Sequence, residues 1–154
     1  MSDFGEDMRS DLATALLIER LVRDAYSDRA PGAVTPLQWA ILRAVSRARP
    51  EDCNQNWIAG FVGVTAGPAN RAIKALERHK AVTIERDPQD ARKTIIALTP
   101  AGKMMLDQDP ILRITRKLAK LETHKKVEFR SMLQQLFLAS AENEREFAED
   151  FDRR

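Results

Sequence analysis

At 154 residues, with 44% hydrophobic and 31% charged side chains, the chain is long enough for one domain with a real core, and six Gly and seven Pro exclude a fibrous or linker-rich protein. A formal charge of +2 is too small for bulk charge to hold nucleic acid, so any such function has to come from where the cations sit. One cysteine excludes an intrachain disulfide framework, the acidic start is unlike a signal peptide, and no apolar run approaches the roughly 18 residues of a membrane span, so a cytoplasmic protein with no membrane partner is expected.

In chain order, a first helix is predicted over about 4–27, with Leu12, Ala13, Leu16 and Leu17 at helical spacing, and "APGAV" breaks it. A second helix starts at "TPLQW": Thr35 is the N-cap, Pro36 takes the first position, and Gln38 completes a capping box. Asn54 caps a third, short helix over 55–61, which Gly63 ends, and Thr65 caps a fourth that runs to about His79. Two short helices joined by so few residues have the spacing of a helix-turn-helix. Alternation at Val82, Ile84 and Arg86, and again at Ile96 and Leu98, predicts a two-stranded hairpin with the charged tip "DPQDARK". Thr99 and Pro100 open another helix, and Asp109-Pro110 is expected to kink or break it. A last helix is predicted from Thr123 to about Glu149, with Phe129, Met132, Leu133, Leu136 and Phe137 on one face and Phe147 and Phe151 as late apolar positions.

The stretch "TAGPANRAIKALERHK" places Gly67 and Pro68, two poor helix formers, at the front of a strong helix. The first N–H groups of a helix have no internal partner, so proline there removes no helix bond. At 100° per residue, Ala69, Ala72, Ile73 and Leu76 fall on one side and Gly67, Arg71, Lys74 and Arg78 on the other. One bare backbone position followed by three cations suits approach to a phosphate-lined groove, and the helix N-terminus adds its own partial positive charge. Asn70, on the flank, has an amide able to pair with adenine or phosphate. The alternative for Gly67 and Pro68 is that they only shape the turn. Residues 65–93 hold seven Lys or Arg and four acids, a local +3, while 139–154 hold six acids and three Arg, a local −3.

The stretch "DARKTIIALTPAG" resembles the wing of the MarR family (multiple-antibiotic-resistance regulators), through Asp90, Arg92, Ile96, Leu98, Thr99 and Gly102. "TPLQWAILRA" is similar to that family's second helix, and "NQNWIAGFVGVTAGPANRAIKALERHKAV" aligns without gaps to its helix-turn-helix. The resemblance covers roughly 30–105, and the flanking helices in layout only. It implies a mostly α protein with a small β-hairpin wing (α+β): a winged helix-turn-helix lobe over 30–99, with a helical dimerisation region from both termini, 1–29 and 100–154. It further implies a homodimer that binds double-stranded DNA at a pseudo-palindromic operator, with one recognition helix per subunit in a major groove. Thr65, Gly67, Pro68, Asn70, Arg71, Lys74, Arg78, Asp90, Arg92 and Lys93 are the DNA-binding candidates. Arg92 is expected to reach the minor groove and Asp90 to orient it; their alternative is an exposed salt bridge in a turn. The chain departs from the family at Lys80, where glycine is usual after the recognition helix, at Gly67-Pro68, which replaces a polar pair, at Trp57, and at Pro110.

The same resemblance implies repression relieved by a small aromatic or phenolic effector, for which Arg20, Trp39 and Arg43 are candidates; Trp39 as core and the two arginines as surface or ion-pair residues are the alternatives. Cys53 is expected to be a half-buried structural residue rather than a redox sensor. His79 and His124 lie in unrelated segments, no Cys/His cluster has metal-ligand spacing, and no phosphate loop, HExxH or GxSxG is present, so neither metal, cofactor nor enzymatic activity is expected. The rival to the DNA-binding regulator is a winged helix used as a protein-interaction module, for which the Gly-Pro start and the acidic termini speak.

Overall fold

The computed structural model describes residues 6–27, 30, 32–88, 90 and 93–152, with side chains between 7 and 139. The elements are α1 (Glu6–Ala25), α2 (Pro36–Arg47), α3 (Gln55–Val62), α4 (Ala66–Arg78), β1 (Val82–Arg86), β2 (Thr94–Leu98), α5 (Pro100–Leu106), α6 (Ile111–Ala119) and α7 (Thr123–Asp152). The part of the first predicted helix before Glu6 lies outside the described residues. Two compact units divide at Leu112 and Arg113.

The first unit holds the core. Ile41, Leu42, Ile58, Ile73 and Leu76 are almost wholly excluded from solvent, and Trp39, Val45, Ala81, Val82 and Ile96 join them. Helices α2, α3 and α4 thus pack mutually, and one face of the hairpin closes the cluster. Helix starts follow the predicted chemistry. The Thr35 hydroxyl accepts from the Gln38 N–H at 3.3 Å while the Gln38 side chain accepts from the Thr35 N–H at 2.7 Å, which completes the capping box. Asn54 Oδ1 accepts from the Trp57 N–H at 3.0 Å and caps α3. Gly63, at φ 69°, ends α3 in the left-handed conformation that lets the chain turn toward α4.

At the end of α4 the left-handed position falls to Lys80, at φ 58°. The Ala81 N–H reaches the Leu76 carbonyl at 2.9 Å and the Lys80 N–H the Glu77 carbonyl at 2.8 Å, the paired bonds of a Schellman motif. A lysine there accepts backbone strain that glycine would not.

β1 and β2 pair antiparallel, Val82 opposite Leu98 and Ile84 opposite Ile96, so the four apolar residues share one face. The other edge of β2 is tied as well, since the Ile96 N–H donates to the Cys53 carbonyl at 2.8 Å. Thr99 then does two jobs: its hydroxyl caps α5 by accepting from the Gly102 N–H at 3.0 Å and donates to the Lys80 carbonyl at 2.6 Å, and its N–H donates to the Ala81 carbonyl at 3.1 Å. Gly102 lies so close to that turn that a Cβ built on it would sit 2.0 Å from the Ala81 carbonyl oxygen. The predicted interruption at Asp109-Pro110 is a full break: α5 ends at Leu106 and α6 begins at Ile111.

Apolar residues of α1 remain in solvent: Leu12, Leu16 and Val22 are about half exposed and Leu17 is 67% exposed. In the second unit, α6 has no buried residue although its apolar and charged residues divide between two faces. Along α7, Leu136, Phe137 and Leu138 are exposed, Phe137 by 74%.

Two backbone predictions follow from the turn at 79–102. Gly102→Ala should lower stability by roughly 1–3 kcal/mol or more, read as a lower urea midpoint, because the blocking atom is backbone. Lys80→Gly should raise it by about 1 kcal/mol in the same assay, by removing the left-handed penalty.

Candidate nucleic-acid interface

The two sides of α4 are as the helical spacing predicts. Ala69, Ala72, Ile73 and Leu76 are buried, whereas Gly67, Arg71, Lys74 and Arg78 are exposed. Core packing therefore fixes which way the cations face. Thr65 occupies the N-cap position, but its side chain makes no cap hydrogen bond, so its role differs from the capping read in the sequence. Pro68 and Asn70 are half-buried at the margins of the outward stripe. Space around Gly67 is open: an added Cβ would meet only the Arg71 guanidinium, at 3.8 Å.

At the hairpin tip the Lys93 N–H donates to the Asp90 carbonyl at 2.8 Å and the Asp87 N–H to the Lys93 carbonyl at 3.0 Å. Lys93 is exposed and Asp90 half-buried. Arg92, the wing arginine of the sequence reading, lies outside the described residues.

The three effector candidates do not share a site. Trp39 is 8% exposed in the core cluster. Arg20 lies on the open surface of α1, with Asp24 at 3.8 Å, a separation at which an exposed pair contributes little. Arg43 is committed: its Nη1 lies 2.6 Å from Asp109 Oδ2, and Asp109 is 3% exposed. Burial acts to lower the Arg43 pKa, but the hydrogen bond and charge of Asp109, together with a hydrogen bond to Tyr26, push it above the ordinary arginine value. Losing either member of such a buried pair costs about 3–5 kcal/mol, because the other charge is left unpaired.

Trp57 packs against the core and stacks on Phe61, ring centroids 5.0 Å apart. Cys53 is buried more deeply than the half-buried position expected of it, at 2% exposure, and burial pushes its thiol up to about 11. Among the described residues no group of three or more His, Cys, Asp or Glu is placed to hold a metal, and no helix is long and apolar enough to cross a membrane.

Two features escaped the sequence reading. Asp109 was legible only as the residue before Pro110, not as the partner of an arginine 66 residues away. Residues 111–130 carry seven Lys or Arg against two acids, a denser positive charge than 65–93. Arg113, Arg116 and Lys117 on α6, and Lys120 just after it, lie three or four apart and are all exposed.

A helix-turn-helix with an outward cationic second helix, followed by a two-stranded hairpin, defines a winged helix-turn-helix protein. Residues 34–93 match the model described as MarR family, so this segment is similar to that family. A search of the curated proteins returned no match. Among solved structures, the chain is similar to the PcaV transcriptional regulator from Streptomyces coelicolor in complex with its natural ligand (22% identity, TM-score 0.63, covering 91% of this chain and 99% of that one). It is also similar to a mutant of S. aureus MepR bound to an oligodeoxyribonucleotide (17%, 0.59, 89% and 99%) and to Bordetella bronchiseptica BpsR, whose DNA binding is regulated by 6-hydroxynicotinic acid (19%, 0.63, 88% and 96%).

The state of Cys53 gives a test of its structural role. The thiolate, not the thiol, reacts with disulfide reagents, so at pH 8 the native protein should label no faster than it unfolds, and peroxide should leave it unmodified. The native thiol keeps its proton between about pH 9 and 11 while the unfolded thiol loses it, so this residue's contribution makes stability fall as pH rises through that window. Rapid labelling of native protein at pH 8, measured against the unfolding rate, would contradict the buried, protonated thiol.

Proposed function

We propose that the protein is a homodimeric repressor that binds a pseudo-palindromic operator through α4 and the β1–β2 wing. The observation that carries the reading is the cationic face of α4: Arg71, Lys74 and Arg78 are exposed because the opposite face is locked into the core. In this reading α4 enters the major groove with Thr65, Gly67, Pro68 and Asn70 leading. Arg92 and Lys93 contact the neighbouring backbone and minor groove, and Asp90 stiffens the wing.

The dimer reading rests on α1, α6 and α7. Their apolar residues, Leu17 and Phe137 foremost, stand in solvent in the single chain, and a second copy would remove such surface from water. The solved structures of MepR with an oligodeoxyribonucleotide, and of PcaV and BpsR with regard to their ligands, support DNA as the partner and a small aromatic or phenolic molecule as the releasing effector. Since Arg43 is held by Asp109 and Trp39 is core, Arg20 is the effector candidate with the freest side chain.

The deciding measurement is binding of the purified protein to the DNA upstream of its own gene, across a salt series, beside a scrambled duplex. Preference for the native sequence is expected. Arg71→Ala and Lys74→Ala should each weaken binding and flatten the salt dependence by about one unit of slope per lost phosphate contact. Slopes unchanged in both variants would remove α4 from the interface. Failure of a folded dimer to bind either duplex would favour a winged-helix module that binds protein instead.

A further inference from the structure

The leading turn of α4 has no side chain that can hydrogen-bond to a base. Residues 66–69 read Ala-Gly-Pro-Ala, without one polar side-chain atom. Ala66 and Gly67 are exposed, and Pro68 is half-buried beside them. The backbone is made less polar there too. The first N–H groups of a helix lack internal partners, and the first bond of this helix runs from the Ala69 N–H to the Thr65 carbonyl at 3.3 Å. Any other residue at 68 would bring an N–H without a helical partner, and proline deletes it. α4 therefore presents ring carbon where a donor would otherwise stand. Burial of Ala69, Ala72, Ile73 and Leu76 fixes which way this surface faces. At 100° per residue, Pro68 lies on one flank of the cationic stripe and Asn70 on the other.

On DNA the two kinds of residue divide the work. Arg71, Lys74 and Arg78 suit phosphate, which gives affinity without sequence. Sequence is read where the N-terminal residues of such a helix reach base edges. In the major groove those edges carry one apolar group, the C5-methyl of thymine, among donors and acceptors that a carbon surface would leave unsatisfied. We propose that α4 reads thymine through its methyl group, with Pro68 as the specificity-determining residue and Gly67 as the bare position that lets the ring reach it. This rests on the DNA-binding reading above and deepens it by naming the base: each half-site carries a thymine whose methyl packs on the Pro68 ring. Asn70 supplies the hydrogen-bonding contact on the other flank.

Uracil tests this at the level of one methyl group. Duplexes are selected from a random library with the purified full-length protein, and each thymine of the enriched half-site is replaced in turn by uracil, which removes the methyl and keeps every hydrogen-bonding group. At one position per half-site the affinity should fall about fourfold, the effect of losing one buried methyl group. At that position 5-methylcytosine should bind about fourfold tighter than cytosine, for the same reason. In Pro68→Ala, which shortens the ring to a single methyl and suits a helix, the uracil penalty should shrink to less than about twofold. Gly67→Ala is the second variant. Its added Cβ meets only the Arg71 guanidinium, at 3.8 Å, so the chain accommodates it, and it should remove the same penalty by holding the helix back from the base. Uracil tolerated at every position would overturn the proposal, as would an enriched half-site without thymine. A uracil penalty as large in Pro68→Ala as in the parent would give the methyl to a different residue and overturn it as well. Selection of no duplex by the folded protein would instead overturn the DNA-binding reading, a result distinguishable from the others.

Discussion

The turn between α4 and β1 carries the geometry of the whole lobe. Its centre is the pair of carbonyls at Lys80 and Ala81, which accept from the hydroxyl and the N–H of Thr99, with Gly102 pressed against the second. Through these bonds the end of α4, the base of the hairpin and the start of α5 become a single junction. The hairpin is only two strands, a structure that is marginal in isolation. It gains its place from this junction at one end and from the Ile96–Cys53 bond along its free edge. The orientation of the hairpin relative to α4 is therefore decided at its root, not at its tip.

Two joints of opposite construction result. At 79–102 the backbone is packed too tightly to move, and Gly102 is required because any side chain would enter a neighbouring carbonyl. At 106–111 the helix is interrupted, and the buried Asp109 at the break pairs with Arg43 of α2. The first is held by sterics, which change little with salt or pH. The second is held by charges in a nearly dry site, where the pair is strong once made and costly to break.

Much of this was legible in local chemistry. The capping box at Thr35 and Gln38, the Asn54 cap, the Gly63 turn and the break before Pro110 each follow from residues a few positions apart, and the two faces of α4 follow from its period. What was not legible depends on contacts across the fold. The "Leu-Thr-x-x-Gly" motif could be recognised, but the need for its glycine becomes physical only when Ala81 is seen beneath it. Arg43 read as a surface or effector residue because nothing near it in sequence names Asp109 as its partner. Thr65 looked like a working cap and is one by position alone. The positive charge of 111–130 was masked by a division of the chain into a basic centre and acidic ends.

Gly67 completes the contrast between the chain's glycines. It has no positive φ and no neighbour that a Cβ would strike, so neither the fold nor the turn requires it. Gly67 leads the same exposed stripe as Arg71 and Lys74, at the end of α4 where unpaired N–H groups point outward. A bare backbone there permits an approach that a methyl group would hold off. The feature that first makes α4 look like a poor helix is thus the one that best fits it to lie against another molecule's surface.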